Sequence, residues 1–329
     1  MSDDTITLAT ARAAFEAAAA NIPPAPPYSG SGIVICAGGP FVPSAYTVVR
    51  LLRDKGVTLP IEIWYAGPDE MPDWAAMAFE PWNVALNDVT PYYPGRPVKE
   101  LRGWPIKPAA LMSSRFRHVL FLDADCFPLR DLSFILESKE YESHGALFWP
   151  DNKHYKMTEE GTIWDLTGIA YRGDTEFETG IFALDKVRHW RSFYMTQWLN
   201  NHSTFWYDHV MGDKDTFYLG LRAFDAPYLL APPCKRYNAI VTRHFWHDGT
   251  PLVDHRTGTS KYSLPRRKGP VSLYLAPYKH RSQKKNIYDE LMQRFIIREF
   301  RQHIVFLREL GDVHARWLKE QDGARQSAA

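Results

Sequence analysis

Short apolar runs closed by a glycine or an aspartate alternate along this chain with longer stretches whose apolar residues recur at helical spacing. "GIVICAGG" (32–39) reads as a buried strand and turn. "PSAYTVVRLLRDKG" (43–56) carries a helical stripe with a glycine stop, and "LPIEIWYAG" (59–67) is a second strand. The alternation continues with a helix at "KPAALMSSRF" (107–116), the strand "HVLFLD" (118–123) and the strand "GALFWPD" (145–151). "ETGIFALDKVRHWRSFYMTQWLNN" (178–201) starts as a strand and becomes an aromatic-rich helix. "GDKDTFYLGLRAF" (212–224) is a helix opened by acidic residues, and "APYLLAP" (226–232) a late strand. Strand, helix, strand in this order predicts an α/β fold with a mixed, mainly parallel central sheet.

The ends differ from the middle. "TITLATARAAFEAAAANI" (5–22) is Ala-rich and helix-favouring, and "PPAPP" (23–27) stops it, so an appended helix and stiff linker are expected over 1–27. The alternating pattern defines one catalytic-sized domain over 28–265. After about residue 240 it loosens into loop-rich, basic sequence. Residues 266–320 are read as a basic loop and one or two amphipathic helices, and 321–329 as a disordered tail.

Composition changes this picture little. With 329 residues, 45% of them hydrophobic and 23% charged, the chain can bury a sizeable core, and a net charge of +1 gives no sign of a nucleic-acid partner. Three cysteines without metal-type spacing suit a reducing compartment. The first residues show neither a basic nor an apolar signal region, and no run approaches a membrane span, so a cytoplasmic location is expected. The basic stretch "RRK…KHRSQKK" is suited to peripheral contact with an anionic membrane or to a solvated face.

The chemistry begins where "HVLFLDADCFPL" (118–129) ends an apolar strand on two carboxylates, Asp123 and Asp125. In an open α/β sheet, ligands bind at the carboxyl ends of the strands. Two like charges there call for compensation, by water or by a hard divalent cation such as Mn²⁺ or Mg²⁺. A second signal is "DHRTGTSKYS" (254–263), in which His255, Gly258 and Lys261 stand as H-x-x-G-x-x-K. An imidazole can complete a coordination sphere, a glycine admits close backbone approach, and a lysine can pair with phosphate oxygens.

Together, D-x-D on a central strand and H-x-x-G-x-x-K downstream resemble the metal and diphosphate site of GT-A glycosyltransferases, near the retaining families that include glycogenin. Within that superfamily the wording resembles the fungal-type α-mannosyltransferases of mannan side chains. "GIVICAGG", "KPAAL", "VLFLDADCFPLRDLSFILES", "GALFWPD", "ETGIFALDKVRHW" and "GDKDTFYLGLRAF" carry the likeness across roughly residues 32–262. The resemblance implies a single Rossmann-like GT-A domain and transfer of a hexose with retention from a nucleotide-diphosphate sugar to a glycan. GDP-mannose is the favoured donor and a UDP-hexose the second.

It also implies roles for individual residues. Asp123, Asp125 and His255 would bind the metal; Asp123, Gly258 and Lys261 would serve the donor diphosphate, and Lys107 the donor sugar and phosphates. Glu178 would lie beneath the sugar as nucleophile, charge stabiliser or acceptor ligand, with Asp213 and Asp215 near sugar hydroxyls. His244 and His247 are read as polar loop residues and Trp149 as core. No Golgi anchor is read in the sequence, which points to a bacterial or viral relative with its own acceptor. Two further classes stay open, a sugar nucleotidyltransferase and a non-catalytic carbohydrate-binding protein. "ICAGGPFVPS" lacks the basic residue that the nucleotidyltransferase reading needs.

Overall fold

The computed structural model describes residues 6–151, 157–237, 241–256, 262 and 301–327. Its strands, in chain order, are β1 (Ser31–Cys36), β2 (Ile61–Tyr65), β3 (Val84–Asp88), β4 (His118–Asp123), β5 (Cys126–Pro128), β6 (Ala146–Pro150), β7 (Phe177–Asp185), β8 (Leu229–Leu230), β9 (Lys235–Arg236), β10 (Thr242–Phe245) and β11 (Pro251–His255). Seven of them form the central sheet in the order β3-β2-β1-β4-β7-β6-β8. Pairing is parallel from β3 through β4; β7 runs against both β4 and β6, and β8 is parallel to β6. This is the mixed, mainly parallel α/β sheet the sequence predicts.

Period-two alternation loads both faces of this sheet, which is why its strands read as unbroken apolar runs. Leu120 and Leu122 point into one core with Ile33, Ile35 and the helix Val42–Asp54. Val119 and Phe121 point into the other, where Phe182 stacks on Phe121 at 4.9 Å and on Phe148 at 5.1 Å beneath the helices Trp190–Asn201 and Asp213–Arg222. The N-terminal helix, Ala11–Ala20, belongs to this second core: Phe15 meets Trp198 and Trp206 edge-on at 6.1 and 6.2 Å.

The opposite core is closed by the helix Arg301–Ser327, which buries Phe306, Leu307 and Leu310. Arg50 holds it in place, ion-paired to Glu309 and sandwiched between the rings of Trp82 and Phe306 at 4.1 and 4.2 Å. Helical turns continue through 321–327, the stretch read from sequence as tail. Among the described residues no helix is long and apolar enough to cross a membrane. The basic stretch and the first part of the expected C-terminal helices lie outside the described residues.

Several elements lie outside the sequence reading, among them the short helices Val98–Leu101, Lys139–His144, Ile163–Thr167 and Ser203–Trp206. The edge strand β3 and the helix Asp73–Phe79 that precedes it were not expected; β3 has only three apolar residues in sequence and none of its five is buried, so its run is too short to stand out. The largest difference is a second, four-stranded antiparallel sheet, β5-β11-β10-β9, built largely from the sequence read as loop after residue 240. Its strands, two to five residues long, are too short to show a period. The chain enters this sheet directly from β4: Ala124–Asp125 makes the turn, and Cys126 then pairs with His255.

Candidate active site

The turn between the two sheets gathers the acidic residues. Parallel β1, β2, β3 and β4 end on one edge, at Cys36, Tyr65, Asp88 and Asp123. Because β7 runs the other way, its beginning lies on that same edge; Leu122 pairs with Ile181, which sets Glu178, Thr179 and Gly180 beside the end of β4. The second sheet supplies the remaining wall. Antiparallel pairing of β11 with β5 puts His255 opposite Cys126, and the Arg256 N–H donates to the Asp125 carbonyl at 2.9 Å. Trp149, fully buried as core, ties the sheets together by donating from Nε1 to the Phe245 carbonyl at 3.0 Å.

Two connected groups of side chains result. In the first, the buried Lys107 ammonium lies 3.3 Å from Asp123 Oδ1 and 3.1 Å from Asp213 Oδ2, and donates to the Thr179 carbonyl at 2.8 Å. The Thr179 hydroxyl in turn donates to Asp213 at 3.1 Å. Burial opposes the charge on Lys107, but Asp123 and Asp213 hold its pKa above the ordinary lysine value. Burial pushes the Asp123 carboxyl up to about 6; Lys107 works against this and Asp125 adds to it.

The second group runs through two histidines. His255 Nε2 lies 3.4 Å from Asp125 Oδ1, and its Nδ1 lies 3.3 Å from Glu178 Oε1. His244 Nε2 donates to Glu178 Oε2 at 2.7 Å, and the Gly180 N–H donates to Glu178 Oε1 at 2.7 Å. The two imidazoles stack with centroids 5.6 Å apart. A Cβ at residue 180 would stand 2.5 Å from His255 Cε1, so only glycine leaves room for the ring. Burial opposes a charged His255, yet the carboxylates of Glu178 and Asp125 beside it hold its pKa well above the imidazole range. Burial likewise opposes ionised Glu178, and the two histidines overcome it, holding its pKa well below the carboxylate range.

The donor set suits a hard divalent cation. Four carboxylates, from Asp123, Asp125, Glu178 and Asp213, converge on one lysine and two histidines. Oxygen donors with one imidazole match Mn²⁺ or Mg²⁺. Asp125, Cys126 and His255 could together reach one ion, as could Glu178, His244 and His255. The Cys126 thiol is the poor member: burial pushes its pKa up to about 12, which keeps it protonated.

Of the residues singled out from sequence, the structure brings together Lys107, Asp123, Asp125, Glu178, Asp213 and His255. Asp215 is placed elsewhere. Two positions beyond Asp213 on a helix of 3.6 residues per turn, it turns inward, beside Lys214 at 3.1 Å, and accepts from the Met211 N–H at 2.7 Å. Gly258 and Lys261 lie outside the described residues. Sequence reasoning passed over His244, which it took for a loop residue, and Thr179. The signal for His244 is its place on β10, across from Val253 of the strand that ends in His255.

Residues 30–167 match the protein family described as "Mannosyltransferase putative". The α-1,2-mannosyltransferase MNN2 of Saccharomyces cerevisiae is 32% identical over 146 residues, covering 44% of this chain and 24% of that protein. MNN5 of the same species is 25% identical over 292 residues, covering 69% and 49%. MNN2 of Candida albicans is 26% identical over 251 residues, covering 61% and 42%. The chain thus spans half or less of the length of these relatives. Among solved structures, the galactosyltransferase LgtC in complex with donor and acceptor sugar analogues aligns with a TM-score of 0.41 and 15% identity, over 61% of this chain and 73% of that one.

Proposed function

We propose that this chain, whose sequence kinship is with the fungal α-1,2-mannosyltransferases, is a metal-dependent glycosyltransferase that moves a hexose from a nucleotide-diphosphate sugar to a hydroxyl of a glycan, with retention at the anomeric carbon. Mannose from GDP-mannose is the favoured donor and a UDP-hexose the second. One observation carries the reading beyond sequence kinship: four carboxylates converge at the carboxyl edge of the central sheet, where nucleotide ligands of open α/β sheets bind.

In this reading Asp123, Asp125 and His255 hold Mn²⁺ or Mg²⁺. Once bound, the cation offsets the negative charge of the diphosphate leaving group. The protein's own part is largely electrostatic. Lys107, kept charged by Asp123 and Asp213, offers its ammonium to the developing charge and orders both carboxylates. Asp213 is fixed by Lys107 and Thr179 and so presents a rigid acceptor to donor or acceptor hydroxyls. Gly258 and Lys261, in the role that the H-x-x-G-x-x-K spacing suggests, add backbone approach and a phosphate-pairing amine.

The test is binding and hydrolysis across a panel of nucleotide sugars with and without Mn²⁺. The expected result is metal-dependent hydrolysis of one donor, GDP-mannose first, lost in Asp125→Ala and His255→Ala. Release of pyrophosphate from a nucleoside triphosphate and a sugar 1-phosphate, with no transfer from any nucleotide sugar, would instead show a nucleotidyltransferase. Folded wild type that binds no donor at any Mn²⁺ concentration would refute the reading.

A further inference from the structure

Glu178 reads from sequence as a carboxylate beneath the donor sugar. A nucleophile or a stabiliser of oxocarbenium charge needs a lone pair aimed at the anomeric carbon. The structure spends both Glu178 oxygens elsewhere. Oε1 accepts from the Gly180 N–H at 2.7 Å and faces His255 Nδ1 at 3.3 Å, while Oε2 accepts from His244 Nε2 at 2.7 Å. Two hydrogen bonds and a facing imidazole thus engage both oxygens, and carboxylates so bonded are weak bases.

We infer that Glu178 is a positioning residue acting through His255: with His244 behind it, it takes the Nδ1–H of His255 and leaves Nε2 aimed at Asp125 and at the cation the two residues share. The inference rests on the metal-dependent reading above and deepens it. The geometry supports it at each link. His244 is fully buried against the edge of the Trp149 ring, centroids 5.9 Å apart, so it is a fixed donor to Glu178. The Gly180 N–H fixes the other oxygen. The close approach of residue 180 to His255 Cε1 limits the ring to the orientation that faces Glu178 on one side and Asp125 on the other. A histidine ligand whose second nitrogen is held by a carboxylate has its tautomer and direction set before a cation arrives.

The experiment titrates MnCl₂, with and without GDP, into wild type, Glu178→Gln, Glu178→Ala and His244→Ala. Free Mn²⁺ is followed by electron paramagnetic resonance, and donor hydrolysis is measured at low and at saturating Mn²⁺. The expected result is a roughly 10- to 100-fold loss of Mn²⁺ affinity in both Glu178 variants, and a smaller loss in His244→Ala. Saturating Mn²⁺ should then restore most of the turnover. Unchanged Mn²⁺ affinity with turnover abolished at saturating metal would overturn the inference and return Glu178 to the sugar. Wild type that binds no Mn²⁺ with or without GDP would instead defeat the metal-dependent reading itself. Circular dichroism checks folding; should both Glu178 variants misfold, His244→Ala carries the test alone, and unchanged affinity there overturns the inference.

Discussion

The two sheets of this molecule meet at one turn and are built on opposite principles. The seven-stranded sheet is apolar on both faces and is clamped by helices on each side. The four-stranded sheet has strands of only two to five residues, yet it positions His244 and His255, while the larger sheet contributes Asp123 and the Glu178–Gly180 corner. Asp125 stands in the turn between them. Most of the buried apolar side chains thus belong to one sheet and the helices on it, and the candidate site residues gather at its junction with the other. A site assembled at such a junction can be tuned by short strands without repacking the core.

The sharpest way to break this division is to injure each side separately. Phe182 is fully buried and stacked among Phe121, Phe148 and Phe217. Phe182→Ala should cost about 3–5 kcal/mol in urea unfolding. It touches none of the site carboxylates, so donor affinity of the folded fraction should hold. Asp125→Asn is the converse. It removes one of four crowded carboxylates but also a partner of buried His255, so relieved repulsion should offset part of the loss and unfolding free energy should fall less than in Phe182→Ala. Turnover should fall roughly 10³-fold, the loss of several kcal/mol of charge stabilisation. If Asp125→Asn unfolds the protein as Phe182→Ala does, the division is wrong.

Gly180→Ala tests the seam itself. An added methyl must move the His255 ring, because its Cβ would stand 2.5 Å from Cε1. Misplacing a site group by about 1 Å can cost roughly 10²-fold. The expected outcome is a turnover loss of that size, a higher Mn²⁺ requirement, and a melting curve changed far less than that of Phe182→Ala.

The same division explains what could be read from sequence. Parallel strands buried on both faces appear as apolar runs, so β1, β2, β4, β6 and β7 were legible, and with them the edge that carries Asp123. Lys107, Asp213 and Glu178 were singled out through motif likeness, and the structure gathers all three around β4 and β7. β10, "TRHF", has one fully buried residue, His244, and so shows no hydrophobic period. Its partner β11, "PLVDH", gave away His255 only through the downstream glycine and lysine. Glu178 was visible as a residue but not as one with both oxygens engaged, because its partners come from residues 180, 244 and 255 and meet only in the folded chain.

Asp213 and Asp215 bring the comparison down to two residues on one helix. The sequence treats them as a pair, whereas the structure sends them to opposite sides. Asp213→Asn should weaken Lys107's grip and reduce turnover, with little effect on unfolding. Asp215 should show itself in stability alone. Its carboxyl is pushed up to about 6, by burial first and then Glu176, against the pull of Lys214 and the Met211 N–H. A raised carboxyl pKa stabilises the fold fully below the unfolded value near ~4, and that contribution disappears as pH climbs through the folded value. Wild type should therefore lose stability relative to Asp215→Asn between pH ~4 and ~6, by something on the order of 2 kcal/mol. Urea unfolding of both proteins across that range measures the difference directly. A constant offset would mean that Asp215 ionises freely in the fold. A drop in donor turnover with unchanged stability would place it beside Asp213 after all, with both helix faces serving the site.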